Sequence, residues 1–405
     1  MPETADGLPI TAASADAGAR LDEAVESYLA ARSDTPRLLK RAMSADPDHL
    51  MARCLMGYLT RLAGDRANAA TARGLHADLA GRVDGGAGSA WERAHVAALG
   101  LWLDDDLAQL MAHFEVILEA HPRDVLSLRM LHYLYFYDGD VDRMRDSVGS
   151  RLGAYAGHRL EGYVQGMYAF GLEEAGDYAA AERYGREAVE RNPADLWATH
   201  AVAHVLEMQG RADEGVDWLE TLRPHWNDAN NFRWHLDWHQ TLQHLRRGEA
   251  DRALAIYDEA LAPALADDFY LDLCNAAELL LRLEAMGCDV GDRWQPLAAI
   301  AEGHVDDTEL LFATLHYLIP LARQRHDAAD SLMATLRRWA DTDSHQGAIV
   351  REVGLDVAEL VLALGRGDRP DAQARYQRLK PRLHRIGGSH AQRDVFRVAA
   401  YSSVA

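Results

Sequence analysis

Residues 162–193, GYVQGMYAFGLEEAGDYAAAERYGREAVERNP, are the stretch that decides the fold class of this chain. They read as a helix, a turn at Gly176, a second helix and a proline stop, which together predict a helical hairpin. The small residues Ala169, Ala181 and Ala188 recur where the two helices of such a hairpin must cross closely.

The same frame returns 34 residues later, at the period of a tetratricopeptide repeat. The unit that starts at Leu196 places Gly210 at its turn. The unit that starts at Trp234 has Gly248 at its turn and Pro263 near its end. We therefore predict an all-α protein, a tetratricopeptide-like (TPR-like) helical-hairpin solenoid wound as a right-handed superhelix with a concave groove.

The predicted organisation is a flexible N-terminal tail followed by one continuous array of hairpins. A chain of 405 residues is longer than one ordinary globular core, and stacked hairpins accommodate this length. The expected ranges are 1–17 for the tail, 18–405 for the solenoid, 162–195, 196–229 and 234–267 for the clearest repeats, and 389–405 for a capping helix.

Composition narrows the range of partners. With 63 acidic and 42 basic residues the formal charge is -21, which repels nucleic-acid phosphates and anionic bilayers, so we expect neither nucleic acid nor membrane as a partner. Cys54, Cys274 and Cys288 are too widely spaced for a CxxC motif, which favours a reducing compartment. Since no apolar run has the length of a signal peptide or membrane span, a soluble cytoplasmic protein is predicted.

A polar stripe follows the first helix of the second clear repeat, LWATHAVAHVLEMQG. His200, His204 and Glu207 stand at i, i+4 and i+7 and share one helical face. The next repeat begins WHLDWHQTL and carries His235 and His239 at i, i+4, with Trp238 between them. In TPR-like arrays such positions face the concave groove. The predicted ligand-binding residues are therefore His200, His204, Glu207, His235, Trp238 and His239.

Three kinds of chemistry are open to these side chains. The histidines can hydrogen-bond to one another, to water or to Asp237 as a purely structural network. They can bind a metal ion, with His200, His204 and Glu207 as the candidate ligands. They can also transfer protons, with His204 or His239 as general base and Glu207 orienting it. No phosphate-binding glycine loop is present, so no cofactor is predicted apart from the metal ion left open here.

Several segments together resemble the tetratricopeptide repeat protein 38 family. They are DVLSLRMLHYLYFYDG at 124–139, GYVQGMYAFGLEE at 162–174, WATHAVAHVLEM at 197–208, HLDWH at 235–239 and IGGSHAQRDVF at 386–396. The resemblance spans most of the chain and implies a TPR-like helical fold. It carries no established activity with it.

The leading functional hypothesis is a binding module that holds a small polar ligand or a peptide in a groove lined by histidine, tryptophan and glutamate. The alternative is an enzyme of the hydrolase or lyase type, in which the groove histidines act as acid and base or as metal ligands and Trp238 stacks on the substrate. A homo-oligomer in which the groove receives the tail of another subunit is a further alternative. The sequence does not decide whether the protein is an enzyme.

Overall fold

A computed structural model describes residues 3–401 of the chain. Helices joined by short turns make up this range, in which the only β-type pairings are two isolated bridges and no strand is present. The predicted all-α class is confirmed. None of the helices in residues 3–401 combines the length and the apolar character needed to cross a membrane.

The helices of the first half are short, mostly three to four turns long. Their bounds are α1 Ala15–Leu29, α2 Thr35–Ala45, α3 Leu50–Leu62, α4 Arg66–Asp84, α5 Ala90–Leu103, α6 Leu107–Ala120, α7 Val125–Asp138, α8 Val141–Gly149, α9 Glu161–Glu174 and α10 Tyr178–Arg191. A single 3₁₀ turn, Leu152–Tyr155, separates α8 from α9.

The second half continues in the same manner. Its helices are α11 Leu196–Met208, α12 Ala212–Leu222, α13 Phe232–Arg246, α14 Ala250–Ile256, α15 Ala262–Ala264, α16 Tyr270–Ala285, α17 Trp294–Gly303, α18 Leu311–Arg323, α19 Ala328–Ala340, α20 His345–Ile349, α21 Leu355–Arg366, α22 Arg369–Leu379 and α23 His390–Tyr401. The π-helical segment Tyr257–Leu261 joins α14 to α15, and a second one, Val350–Gly354, joins α20 to α21.

The described residues form two compact units. Unit 1 contains residues 3–135, 141–201 and 225–230, and unit 2 contains residues 136–140, 202–224 and 231–401. Neighbouring helices in sequence pack against each other in both units, as α9 does with α10 in unit 1 and α13 with α14 in unit 2.

A pair of helices lies in each of the three predicted repeat ranges: α9 with α10, α11 with α12, and α13 with the rod from α14 to α15. The turns inside these pairs contain Gly176, Gly210 and Gly248, with φ angles of 84°, 71° and 77°. Glycine adopts this left-handed conformation without the steric cost that a Cβ atom brings, so the glycines explain where each first helix ends.

Residues 3–14 pack within unit 1, whereas the sequence predicts a flexible tail over 1–17. Ile10 is completely buried, and both the backbone N–H and the hydroxyl of Thr11 donate to Oε2 of Glu92. The sequence signal misleads because the segment is short and polar, while its one isoleucine supplies the contact that holds it. Residues 1 and 2 of the predicted tail lie outside the described residues.

The helix α23 lies in the range predicted for a capping helix. Ser389 begins it with reciprocal hydrogen bonds, in which the N–H of Gln392 donates to the Ser389 hydroxyl and Oε1 of Gln392 accepts from the Ser389 N–H. The helix packs against α16, α21 and α22 within unit 2. Residues 402–405 of the predicted range lie outside the described residues.

Candidate functional site

Three histidines lie together in the interior of unit 2: His204 on α11, and His235 and His239 on α13. The ring centroids of His204 and His239 are 4.3 Å apart, and those of His235 and His239 are 4.8 Å apart. One ring nitrogen of each histidine lies within 4.8 Å of those of the other two. We call these three residues the histidine cluster.

His235 is held in place by two neighbours. Its Nδ1 atom is hydrogen-bonded to Oδ1 of Asn275 on α16 at 2.8 Å, and its ring stacks on Trp238 with the two planes 11° apart. Burial lowers the pKa of His235 to about 4, although the hydrogen bond to Oδ1 of Asn275 acts to raise it. The imidazole is therefore neutral at neutral pH.

His204 and His239 are completely buried. Burial holds the pKa of His204 well below its usual range, and the nearby His235, His390 and Arg393 push it in the same direction. The expectation that these side chains line an open groove is wrong in this respect, because helices distant in sequence cover them. A buried neutral imidazole is poorly placed to exchange protons with a substrate from solvent.

His200 precedes His204 by one turn on the same helix, so the two side chains share a face as predicted. His200 is also buried, and its ring lies against two aromatic side chains of unit 1. The ring centroids are 5.1 Å from Phe170 and 6.4 Å from Trp197.

Glu207 turns to a different partner from the one expected. Its Oε1 atom accepts a hydrogen bond of 2.9 Å from Nη2 of Arg246, and its Oε2 atom is buried without a hydrogen-bond partner among the described residues. The predicted roles of Glu207, as the group that orients a catalytic histidine or as a metal ligand beside His204, therefore receive no support from its contacts.

Trp238 and Asp237 also differ from expectation. Trp238 is completely buried in the hydrophobic core of unit 2, so it is a packing residue and not an exposed wall on which a substrate could stack. Asp237 forms an ion pair with Arg223 and does not serve as the carboxylate partner of the histidines.

A cavity of about 500 Å³ opens in unit 2 beside the histidine cluster. Its wall is rich in positive charge, although the chain as a whole has a formal charge of -21. The charged side chains and histidines that line it are Arg246, Arg282, Lys380, Arg393, Arg397, Glu207, Asp394, His384 and His390. Five permanent cations thus face two carboxylates.

The cavity and the histidine cluster are built on the same helices. On α13 the residues His235, His239 and Arg246 stand at i, i+4 and i+11, which keeps them on one face. On α16 Asn275 precedes Arg282 by seven residues, and the Arg282 guanidinium lies 5.7 Å from the centroid of the Trp238 ring. The helix α13 therefore contributes to the cluster and α16 to a contact with it, and about two turns later each helix contributes to the cavity.

The C-terminal wall of the cavity is positioned by α23 and the break before it. Arg282 donates from Nη2 to the Ala391 carbonyl at 2.6 Å, which ties α23 to α16. Arg393 donates from Nη1 to the Gly388 carbonyl and from Nη2 to Nδ1 of His390 at 3.2 Å. These hydrogen bonds hold the guanidinium groups in defined directions at the cavity wall.

Arg282 also belongs to a buried polar triad. Its Nη1 atom lies 3.4 Å from Oε2 of Glu278, whose Oε1 atom lies 3.1 Å from Nε2 of His316. Burial raises the pKa of Glu278, while the hydrogen bond and charge of His316 and the charge of Arg282 oppose the rise. The triad therefore adds a second set of contacts that hold Arg282 in place.

Sequence reasoning identified the histidine cluster and missed the cavity. The cavity cations come from four separate segments between residues 246 and 397, with no common spacing that a sequence could show. One signal was present, because IGGSHAQRDVF contains His390 and Arg393 after a double-glycine break. No protein-family model matches the chain.

Proposed function

We propose that this protein is a TPR-like solenoid of the tetratricopeptide repeat protein 38 family that binds a small anionic organic molecule in the cavity of unit 2. The observation that carries the proposal is the reversal of charge: five permanent cations line one cavity of a strongly acidic chain. The helix pairs at 162–195, 196–229 and 234–267 support the solenoid part of the proposal.

The size of the cavity suits a metabolite. About 500 Å³ falls within the range of roughly 300 to 1,000 Å³ typical of small-molecule sites. Apolar side chains, Leu242, Leu383 and Tyr376 among them, interrupt the charged lining and can contact the carbon skeleton of a ligand. A peptide is the less favoured occupant, because a cavity of this volume holds only a few residues.

The charges suit carboxylate or phosphate groups. Arginine recognises both with paired hydrogen bonds, and Arg282 and Arg393 are already oriented by contacts with backbone carbonyls. Such fixed donors lose little conformational freedom when a ligand arrives. Within an acidic chain, the cavity offers a small anion a local cluster of cations.

The enzyme alternative has less support. His204 and His239, its candidate bases, are completely buried, and Glu207 pairs with Arg246 instead of orienting either of them. Proton transfer to a ligand in the cavity would need a residue on its wall, and neither His204 nor His239 lines that wall.

The chain provides a matched test, since it contains only two lysines, Lys40 and Lys380. Both are exposed, but Lys380 lines the cavity and Lys40 lies on α2. In titration calorimetry at constant ionic strength, Lys380→Ala should weaken the binding of citrate or glucose 6-phosphate about 5- to 10-fold, which corresponds to about 1 to 1.4 kcal/mol for an exposed charged group.

Lys40→Ala is the control and should leave both affinities unchanged. Glu207→Gln should strengthen binding, because it removes a negative charge from the cavity wall. A preference for citrate or for the sugar phosphate tells whether the site recognises carboxylates or a phosphate. Equal affinities in the two lysine variants, or no binding of either anion by the parent protein, would refute the proposal.

A further inference from the structure

We propose that the histidine cluster is a binding site for a transition-metal ion of the zinc class, with His204, His235 and His239 as ligands. The cluster is separate from the cavity lining, so this inference does not depend on the anion proposal. The donor set consists of nitrogen atoms alone, a set that Zn²⁺, Co²⁺, Ni²⁺ and Cu²⁺ accept and that Mg²⁺ and Ca²⁺ do not favour.

The three histidine rings need to move little to coordinate one metal ion. A tetrahedral ion with metal–nitrogen bonds of about 2.0 to 2.1 Å separates its ligand atoms by about 3.4 Å. In the structure one nitrogen of each of the three rings already lies within 4.8 Å of the others. Small side-chain rotations, without any movement of α11 or α13, can therefore bring the three rings onto one ion.

Asn275 supplies the outer contact that metal-binding histidines usually have. Its amide oxygen accepts a hydrogen bond from Nδ1 of His235, so the proton of the neutral imidazole is on Nδ1 and Nε2 keeps its lone pair. Trp238 stacks on the same ring and limits its rotation. Outer-shell contacts of this kind fix the tautomer and orientation of a ligand.

The burial of the ligands indicates the kind of site. His204 and His239 are completely buried, which indicates an enclosed structural site and not an open catalytic one.

The test uses the full chain without a histidine tag, freed of metal by dialysis against a chelator. On titration with Co²⁺ we expect intense visible absorption bands, which are characteristic of tetrahedral nitrogen coordination. Zn²⁺ should displace the Co²⁺, and elemental analysis should find one tightly held ion per chain.

Two variants and a control locate the site. His239→Gln keeps much of the side-chain volume and should abolish the visible bands, whereas His95→Gln, at an equally buried histidine of unit 1, should keep them. Asn275→Ala leaves every ligand in place and should weaken Zn²⁺ binding about 10- to 100-fold. Circular dichroism shows whether each variant folds. If His239→Gln does not fold, Asn275→Ala still tests the site.

The proposal is overturned if the metal-free parent binds neither ion, or if His239→Gln and Asn275→Ala both bind Zn²⁺ as tightly as the parent. Failure here would not affect anion binding, since none of the three ligands lines the cavity.

Discussion

His304 shows how a single residue of unit 2 can depend on pH. Its Nδ1 donates to Asp307 at 2.6 Å and its Nε2 donates to Asp268 at 3.0 Å, while its ring stacks on Tyr317. Burial alone would lower the pKa of His304, but the hydrogen bonds and charges of the two carboxylates raise it to about 9. The folded state thus holds this proton more tightly than the unfolded chain does.

The sign of the effect on stability follows directly. With a pKa of about 6.5 in the unfolded chain and about 9 in the folded protein, the stabilisation is complete below pH 6.5 and is lost as the pH rises to about 9. We expect His304→Gln to lower the free energy of unfolding by about 1 to 2 kcal/mol at pH 6, allowing for screening at the exposed Asp268.

Urea unfolding of the parent and His304→Gln at pH 6 and pH 9.5 measures this difference. The difference in the free energy of unfolding between the two proteins should nearly disappear at pH 9.5. At pH 6, Asp268→Asn should lower the free energy of unfolding of the parent by part of this difference. A difference in unfolding free energy that stays constant or grows as the pH rises would show that His304 is not held protonated by Asp307 and Asp268.

For single residues, the i, i+4 spacing of the histidines predicted which side chains lie close together better than it predicted whether they are exposed. The i, i+4 pairs His200–His204 and His235–His239 correctly placed each pair on one helical face, and His204 does lie beside His239. Their burial was not predictable, because it depends on packing between helices, as in the contact of His235 with Asn275 on α16. A helical pattern indicates which side chains share a face and does not show what covers that face.

At the scale of elements, the attachment of α23 depends on two consecutive glycines. Gly388 has a φ angle of 77°, and a Cβ atom there would overlap the ring of Phe312, which is itself completely buried on α18. Gly367, which ends α21, has a similar φ angle of 73°, but a Cβ atom there would meet nothing within 4 Å. The two positions therefore share backbone strain and differ in packing.

We expect Gly388→Ala to lower the free energy of unfolding by about 2 to 4 kcal/mol, since overpacking adds to the left-handed strain. Gly367→Ala should cost about 1 kcal/mol from strain alone. Urea unfolding of both variants provides the comparison. Equal losses of stability would mean that the Phe312 contact does not constrain the break before α23.

Helix ends were largely predictable from the sequence, and contacts between distant helices were not. Gly176, Gly210 and Gly248 marked the turns correctly because a left-handed residue is a local requirement. Ser389 and Gln392 likewise begin α23 with a cap that is local in sequence. The packing of residues 3–14 was missed, because the burial of Ile10 depends on helices that its own sequence neighbourhood does not reveal.

At the scale of the whole molecule, net charge and local charge have opposite signs. The chain carries 63 acidic and 42 basic residues, yet Arg246, Arg282, Lys380, Arg393 and Arg397 converge on one cavity. Composition predicts that polyanionic partners are disfavoured, and this remains a prediction. It does not reveal that a small anion could reach a positive site within unit 2.

The central claim is that this cavity binds small anions, and chemical modification of the unaltered protein tests it most directly. An amine-reactive reagent should label both lysines of the free protein, and mass spectrometry of the peptides gives the rate at each. Saturating citrate or glucose 6-phosphate, with ionic strength matched by sodium chloride, should slow labelling of Lys380 several-fold and leave that of Lys40 unchanged. Equal labelling rates at Lys380 with and without both anions would contradict the account.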